Sequence, residues 1–428
     1  MGFAFSDYSD VVMPGRCDVL LTNATVLTMD EQWTIHRNSG VAIRGDAIEA
    51  VGPPALTLEA AESIDCGGRV IMPGLVNAHT HLELSYMRGL VPPAASFDTW
   101  VRAMLSLRRK HPDPCAAHII HAAGAAIVEA RNAGTGVIGD ISNTLVSARL
   151  LSDAGMPGHV FHEILGFNAE DPRGLVDAAR ARVEALDLTD AVVRVTVTPH
   201  APYSVSPALF MAVAEHTAGA LTSIHLGESQ EEVHFLSHGG GPIQAALEAL
   251  GAWNPKWTPP RCGPVEYLEK FGLLSDRLLA VHGVQLSYRE LAQLTAAGAT
   301  LVTCPRSNQW VGAGSPPVEQ FYASGVRVAI GTDSLASVED LNLFAEMAAI
   351  RGLSSRVPAR AILESATRIG ADALGFGGEF GTIEPGKQAG LLAVRLPDAV
   401  GDVEEYLVGG ITPGQLTWLD PANPGPEP

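Results

Sequence analysis

Residues 75–81 read Leu75-Val76-Asn77-Ala78-His79-Thr80-His81, a short apolar run that ends in two histidines. Positions two apart on a strand point to one face, so His79 and His81 project together, as two ligands of one metal do. Working outward, this run is the first of eight. Apolar runs, several of them rich in β-branched residues, cover 75–79, 135–141, 159–165, 192–198, 221–225, 278–284, 300–304 and 326–332. Between them lie stretches rich in Ala, Leu, Glu and Arg, at 116–132, 172–186, 207–217, 243–250 and 288–297, which read as helices. Eight βα units in about 300 residues predict an α/β fold, a (β/α)8 TIM barrel over 73–376. A doubly wound sheet is the alternative, because rhythm alone does not close a barrel.

The flanks have a different texture. Short apolar runs at 19–21, 24–29, 41–43, 48–51 and 69–71 alternate with turn signals and read as a small β unit. A similar run returns at 390–394, so residues 1–72 and 377–428 are expected to build one small β domain from both chain termini. Residues 420–428 are Pro-rich and polar, and are expected to fray. The Pro/Trp-rich stretch 254–264 reads as an ordered surface loop near the barrel mouth.

Composition narrows the class. The 428 residues carry 28 Lys+Arg against 47 Asp+Glu, a net charge of −19, which disfavours nucleic-acid and anionic-membrane partners. Five scattered cysteines form neither a disulfide framework nor a CxxC metal knuckle, which suits a reducing cytosol. The first 16 residues carry Asp7 and Asp10 with no apolar core of a signal peptide, and no apolar run approaches the ~20 residues that span a bilayer. A cytoplasmic protein is expected, with a homo-oligomer left open.

Chemistry gathers at the strand ends. His225 closes the fifth run, His282 the sixth and Asp333 the eighth. In a barrel these ends meet at the C-terminal mouth, where catalytic residues of the fold sit. Four imidazoles and a carboxylate make a donor set suited to Zn2+, with Fe2+ as the alternative. Glu228 follows His225 by three residues. In isolation it reads as a helix-start glutamate; beside a metal it becomes a candidate general acid/base.

These residues sit in ordered motifs: 72–81, Thr198-Pro199-His200-Ala201-Pro202-Tyr203-Ser204, 225–229, 281–283, Cys304-Pro305-Arg306-Ser307-Asn308, 331–334 and 381–387. Through them the chain resembles the amidohydrolase superfamily, in its branch of mononuclear-metal aminohydrolases of adenosine-like or guanine-like rings. The resemblance implies His79, His81, His225 and Asp333 as metal ligands and His282 as the residue that orients the attacking water. It implies Glu228 as proton shuttle, Asp333 as a second proton acceptor, and His200 as a substrate contact. Two departures stand out: Gln388-Ala389-Gly390 where the family often has Ala-Asp, and Val338 in place of a small polar residue. Binuclear members bridge two metals with a lysine on the fourth strand. The four lysines here, Lys110, Lys256, Lys270 and Lys387, all lie outside the barrel strands, so one divalent metal is expected.

Within that branch the loop His79-Thr80-His81-Leu82-Glu83-Leu84-Ser85 resembles the aminodeoxyfutalosine deaminases of a menaquinone route. The resemblance implies a small-molecule substrate, an adenosine bearing a carboxylated phenyl ketone. Arg306 is then expected to hold the carboxylate, or else to be a solvated loop arginine. Glu83, sharing strand parity with His79 and His81, is expected to bind ribose hydroxyls, or else to be a rim glutamate. S-adenosylhomocysteine or methylthioadenosine deamination, hydrolysis of an amide or chlorotriazine bond, and a non-catalytic metal-binding barrel stay open.

Overall fold

The computed structural model describes residues 15–188, 192–397 and 400–419. The expected fraying of 420–428 falls outside these. Five strands open the chain: β1 (Arg16–Leu27), β2 (Ile35–Arg44), β3 (Ala47–Val51), β4 (Glu59–Asp65) and β5 (Val70–Pro73). The runs at 19–21 and 24–29 belong largely to β1, whose register with β2 shifts around Ala24, next to Asn23 in the left-handed region. This is a bulge, which bends one strand without ending it.

Eight parallel strands follow: β6 (Leu75–Thr80), β7 (Thr135–Ser142), β8 (Gly158–Ile164), β9 (Val193–Pro199), β10 (Thr222–Leu226), β11 (Leu278–His282), β12 (Thr300–Thr303) and β13 (Arg327–Ile330). They form two four-stranded halves, β6-β7-β8-β9 and β10-β11-β12-β13. The halves meet at both seams. His225 N–H donates to His200 O at 3.0 Å on one side, and Asp333 N–H to His79 O at 2.9 Å on the other. A doubly wound sheet would leave the first and eighth strands far apart, so the (β/α)8 barrel holds. Its interior is filled by Val76, Ala78, Val137, Phe161, Val281 and Val302 among others, all essentially buried. Each Val or Phe among them contributes about 1.5–3 kcal/mol on leaving water.

The returning chain adds β14 (Leu391–Val394) and β15 (Leu416–Trp418). β14 pairs antiparallel with β5, Val70 opposite Val394, and this joins both ends of the chain in one seven-stranded sheet. The stretch 254–264 packs through Trp257, which stacks on Phe235 at 4.3 Å between ring centroids. Phe235 lies on the helix Gln230–His238, so this loop braces the helix that starts just after Glu228. No described helix is long and apolar enough to cross a membrane.

Candidate active site

Strand ends deliver the histidines. β6 carries His79 and runs into His81, while β10 and β11 bring His225 and His282. The His79 ring lies 4.9, 5.1 and 5.5 Å from those of His81, His225 and His282, centroid to centroid. Asp333, just past β13, places Oδ1 3.6 Å from His81 Nε2 and 4.0 Å from His79 Nε2. His282 and Asp333 hold φ of 77° and 63°, a region costly for residues with a Cβ and kept where the surroundings enforce it. Asn77 is one enforcer: it accepts from Thr332 N–H and donates to Thr332 Oγ1. Gly331 lets this segment lie against β6, since a Cβ there would meet His79 Cβ at 2.6 Å.

The donor set fits a cation. Both ring nitrogens of His79 are buried without a hydrogen-bond partner. His81 Nε2 and His225 Nε2 face each other at 3.3 Å. Buried lone pairs left so are costly, and a divalent metal shared among them removes the cost. His79, His81 and His225 bring ligand atoms within 4.8 Å of one another, as do His79, His282 and Asp333.

A second layer fixes these groups. Ser307 Oγ donates to Asp333 Oδ2 at 2.6 Å, and Asn308 Nδ2 donates to His282 Nδ1 at 3.0 Å. The latter leaves the His282 hydrogen on Nε2, 3.6 Å from Glu228 Oε1. Glu163, at the end of β8, lies 3.2 Å from His225 Nδ1. Burial opposes a charged His225, but Glu163, Glu228 and Asp333 together carry its pKa up to about 9, so the site attracts positive charge. Burial holds Glu228 protonated to about 8, against His225 and with help from Asp333, Glu232 and Glu231. His200, at the cavity wall, is pushed down to about 4 by burial, so it is neutral at pH 7. Glu232 is fully buried and accepts from Gly227 N–H and Glu228 N–H at 3.0 Å each, pinning the backbone that aims Glu228.

Above this floor opens a cavity of about 250 Å3 that includes His81, His200, His225, Glu228, His282 and Asp333. The helices Phe97–Arg108 and Gly241–Ala249 wall it with Trp100, Met104, Ile243 and Leu247. A larger cleft of about 480 Å3 lies at the opposite end of the barrel, by Gly74, Gly136 and Trp418, and holds none of these groups.

Two expected substrate contacts sit elsewhere. Arg306 is absent from the cavity wall; its Nε meets Glu346 Oε1 at 2.6 Å and its Nη1 meets Asp340 Oδ1 at 2.8 Å. Glu346 is fully buried and needs that cation, so the guanidinium is committed to the fold. Glu83 is not on a strand, because after His81 the chain enters the 3-10 turn Leu82–Met87, and strand parity lapses. Its Oε2 accepts from Ser142 Oγ, Thr144 N–H and Thr144 Oγ1 and its Oε1 from Arg108 Nη2, and it is absent from the cavity wall, so it is placed to support the loop and Arg108 and not to line the cavity. Glu163, Ser307 and Asn308 escaped the sequence reading of roles although their positions at strand ends or in a quoted motif pointed to them. Arg108 and Glu232, on helices, gave no such signal.

A model of the amidohydrolase family matches residues 70–413. A 5-methylthioadenosine/S-adenosylhomocysteine deaminase of Syntrophobacter fumaroxidans is 31% identical over 404 residues, covering 89% of this chain and 85% of that protein. An aminodeoxyfutalosine deaminase of Deinococcus radiodurans is 32% identical over 388 residues, covering 85% and 89%. Among solved structures, a zinc-bound adenosine deaminase from Xanthomonas campestris superposes with a TM-score of 0.80 at 27% identity, covering 95% and 92%.

Proposed function

The chain belongs to the amidohydrolase family, and from that premise we propose that it deaminates 6-aminodeoxyfutalosine to futalosine, a step of menaquinone biosynthesis. It is a hydrolase of C–N bonds and an adenosine-type deaminase. The finer reading rests on one observation: the wall above the histidines is aromatic and aliphatic, from Phe97 and Trp100 to Leu247. A phenyl-bearing 5′ substituent suits such a wall better than the short thioether of methylthioadenosine. The named relatives keep methylthioadenosine and S-adenosylhomocysteine as the second reading. Residues 73–376 would be the catalytic barrel, with the described parts of 1–72 and 377–428 as its β support, acting on a free small molecule in the cytoplasm.

In this reading His79, His81, His225 and Asp333 would hold one divalent cation, Zn2+ before Fe2+, which as a Lewis acid would supply water made nucleophilic near neutral pH. Every other step falls to side chains. His282 steers the attacking water through its Nε2 hydrogen, and Asp333, aligned by Ser307, takes a proton from it. Glu228, protonated because it is buried, delivers its proton to the ring nitrogen beside the amidine carbon. The proton held by Asp333 then passes to the departing amine and the hydroxyl proton of the adduct returns to Glu228, so water is added, ammonia leaves and both carboxyls are reset. His200 closes on the substrate from the cavity wall.

The test is ammonia release across aminodeoxyfutalosine, S-adenosylhomocysteine, methylthioadenosine, adenosine and guanine, with metal content measured alongside. The highest kcat/KM on aminodeoxyfutalosine at one metal per chain is expected. A tenfold preference for another substrate, or two metals per chain, overturns it.

A further inference from the structure

We propose that Arg108 reads an anionic group of the substrate's 5′ substituent, with Glu83 as the residue that positions it. The proposal rests on the deaminase reading above and names the substrate class of the same site. Arg108 ends the helix Phe97–Arg108 and is the one Lys or Arg on the cavity wall among the described residues. Trp100, Met104 and Arg108 follow at intervals of four and so share one helix face, a stripe of roughly 12 Å at 1.5 Å per residue. An apolar group packed along Trp100 and Met104 therefore has a guanidinium on the same face. The other charged groups of that wall above the histidines, Asp98 and Glu231, are acids, so Arg108 is the permanent cation an anion would meet there.

The guanidinium is held in place for this. Nη2 donates to Glu83 Oε1 at 2.9 Å and Nη1 to Asn143 Oδ1 at 3.0 Å, two of its five N–H donors. Glu83 Oε2 is occupied by Ser142 and Thr144, so the carboxylate cannot swing away. Asn143 in turn donates to Glu163 Oε2 at 3.0 Å, and Glu163 supports His225. A continuous chain of contacts thus ties the anion reader to the histidine cluster, which fixes their separation. The side chain is 34% exposed, open enough to meet a ligand. The ligand class is a nucleoside whose 5′ substituent has an apolar body and a carboxylate.

The experiment compares Arg108→Met, which keeps the stem and removes the charge, with wild type on aminodeoxyfutalosine and on methylthioadenosine, which lacks a carboxylate. Loss of a charge-assisted hydrogen bond raises KM for the first by about 10- to 100-fold, with kcat within about threefold and KM for the second within about threefold. Glu83→Gln should lower the melting temperature, because its buried carboxylate loses the ion pair, and in the folded protein should produce the same split between the two substrates, more weakly. Wild-type protein supplies a check free of folding effects: futalosine should bind at least about tenfold tighter than its methyl ester. Equal losses on both substrates, or equal binding of acid and ester, overturn the proposal and spare the deaminase. No ammonia from any nucleoside with wild type overturns both.

Discussion

Glu228 offers the sharpest test of the chemistry, because its burial sets a number. At pH 7 a carboxyl of pKa about 8 is ~90% protonated, against ~0.3% for one at its usual 4.5. The protein thereby raises the acid form on the order of 300-fold. Ammonia release measured from about pH 6 to 10 should show kcat/KM falling tenfold per unit above ~8. Glu228→Gln cannot carry the proton. It should lower kcat by about 10²–10⁴ and abolish that alkaline limb, while metal content stays the same. The sign of the stability effect follows from linkage. Between 4.5 and about 8 the folded state binds a proton that the unfolded chain has released, so the Glu228 contribution weakens as pH rises through this window. The glutamine variant, with no charge to bury, should therefore gain on wild type in melting temperature as pH rises from 5 to 9. Glu232→Gln should move the alkaline limb to lower pH, because the Glu232 charge helps hold the Glu228 proton. Near-normal turnover in Glu228→Gln, or an alkaline limb that survives it, would refute the general-acid role.

Three further substitutions address the supporting shell. Asn308→Asp would accept the Nδ1 hydrogen of His282 and move the lone pair to Nε2; kcat should fall about 10- to 100-fold at constant metal content, and an unchanged kcat removes the tautomer argument. Glu163→Gln should weaken divalent-metal affinity about 10- to 100-fold in competition with a chelator, and unaltered affinity would detach Glu163 from the metal centre. Arg306→Ala leaves Glu346 buried and alone, so unfolding in urea should show a loss of about 3–5 kcal/mol with KM for aminodeoxyfutalosine unchanged; a raised KM at full stability would return Arg306 to the substrate.

What was legible in the sequence, and what was not, divides along a physical line. Strands of a parallel barrel are buried on both faces, so they appear as continuous apolar runs that need no partner to be seen. Their C-terminal ends converge whatever the loops do, and this made His225, His282 and Asp333 findable before any contact was known. β4 escaped because it is an edge strand whose Glu59, Glu62 and Asp65 face water, and β15 because three residues make no pattern. Arg306 and Glu83 were misplaced for a different reason. Each was matched to a ligand by local position, whereas an ion pair is decided by a partner far along the chain: Glu346 lies 40 residues beyond Arg306, and Arg108 lies 25 beyond Glu83. Groups that perform chemistry must meet at one point, so the fold betrays them. Groups that read the rest of a substrate need only line whatever covers the mouth, here a helix whose Trp100, Met104 and Arg108 look like an ordinary amphipathic face. Substrate choice in this scaffold should therefore change through the helix Phe97–Arg108 while the histidine cluster stays as it is, which makes that helix the place where the two named activities of its relatives can diverge.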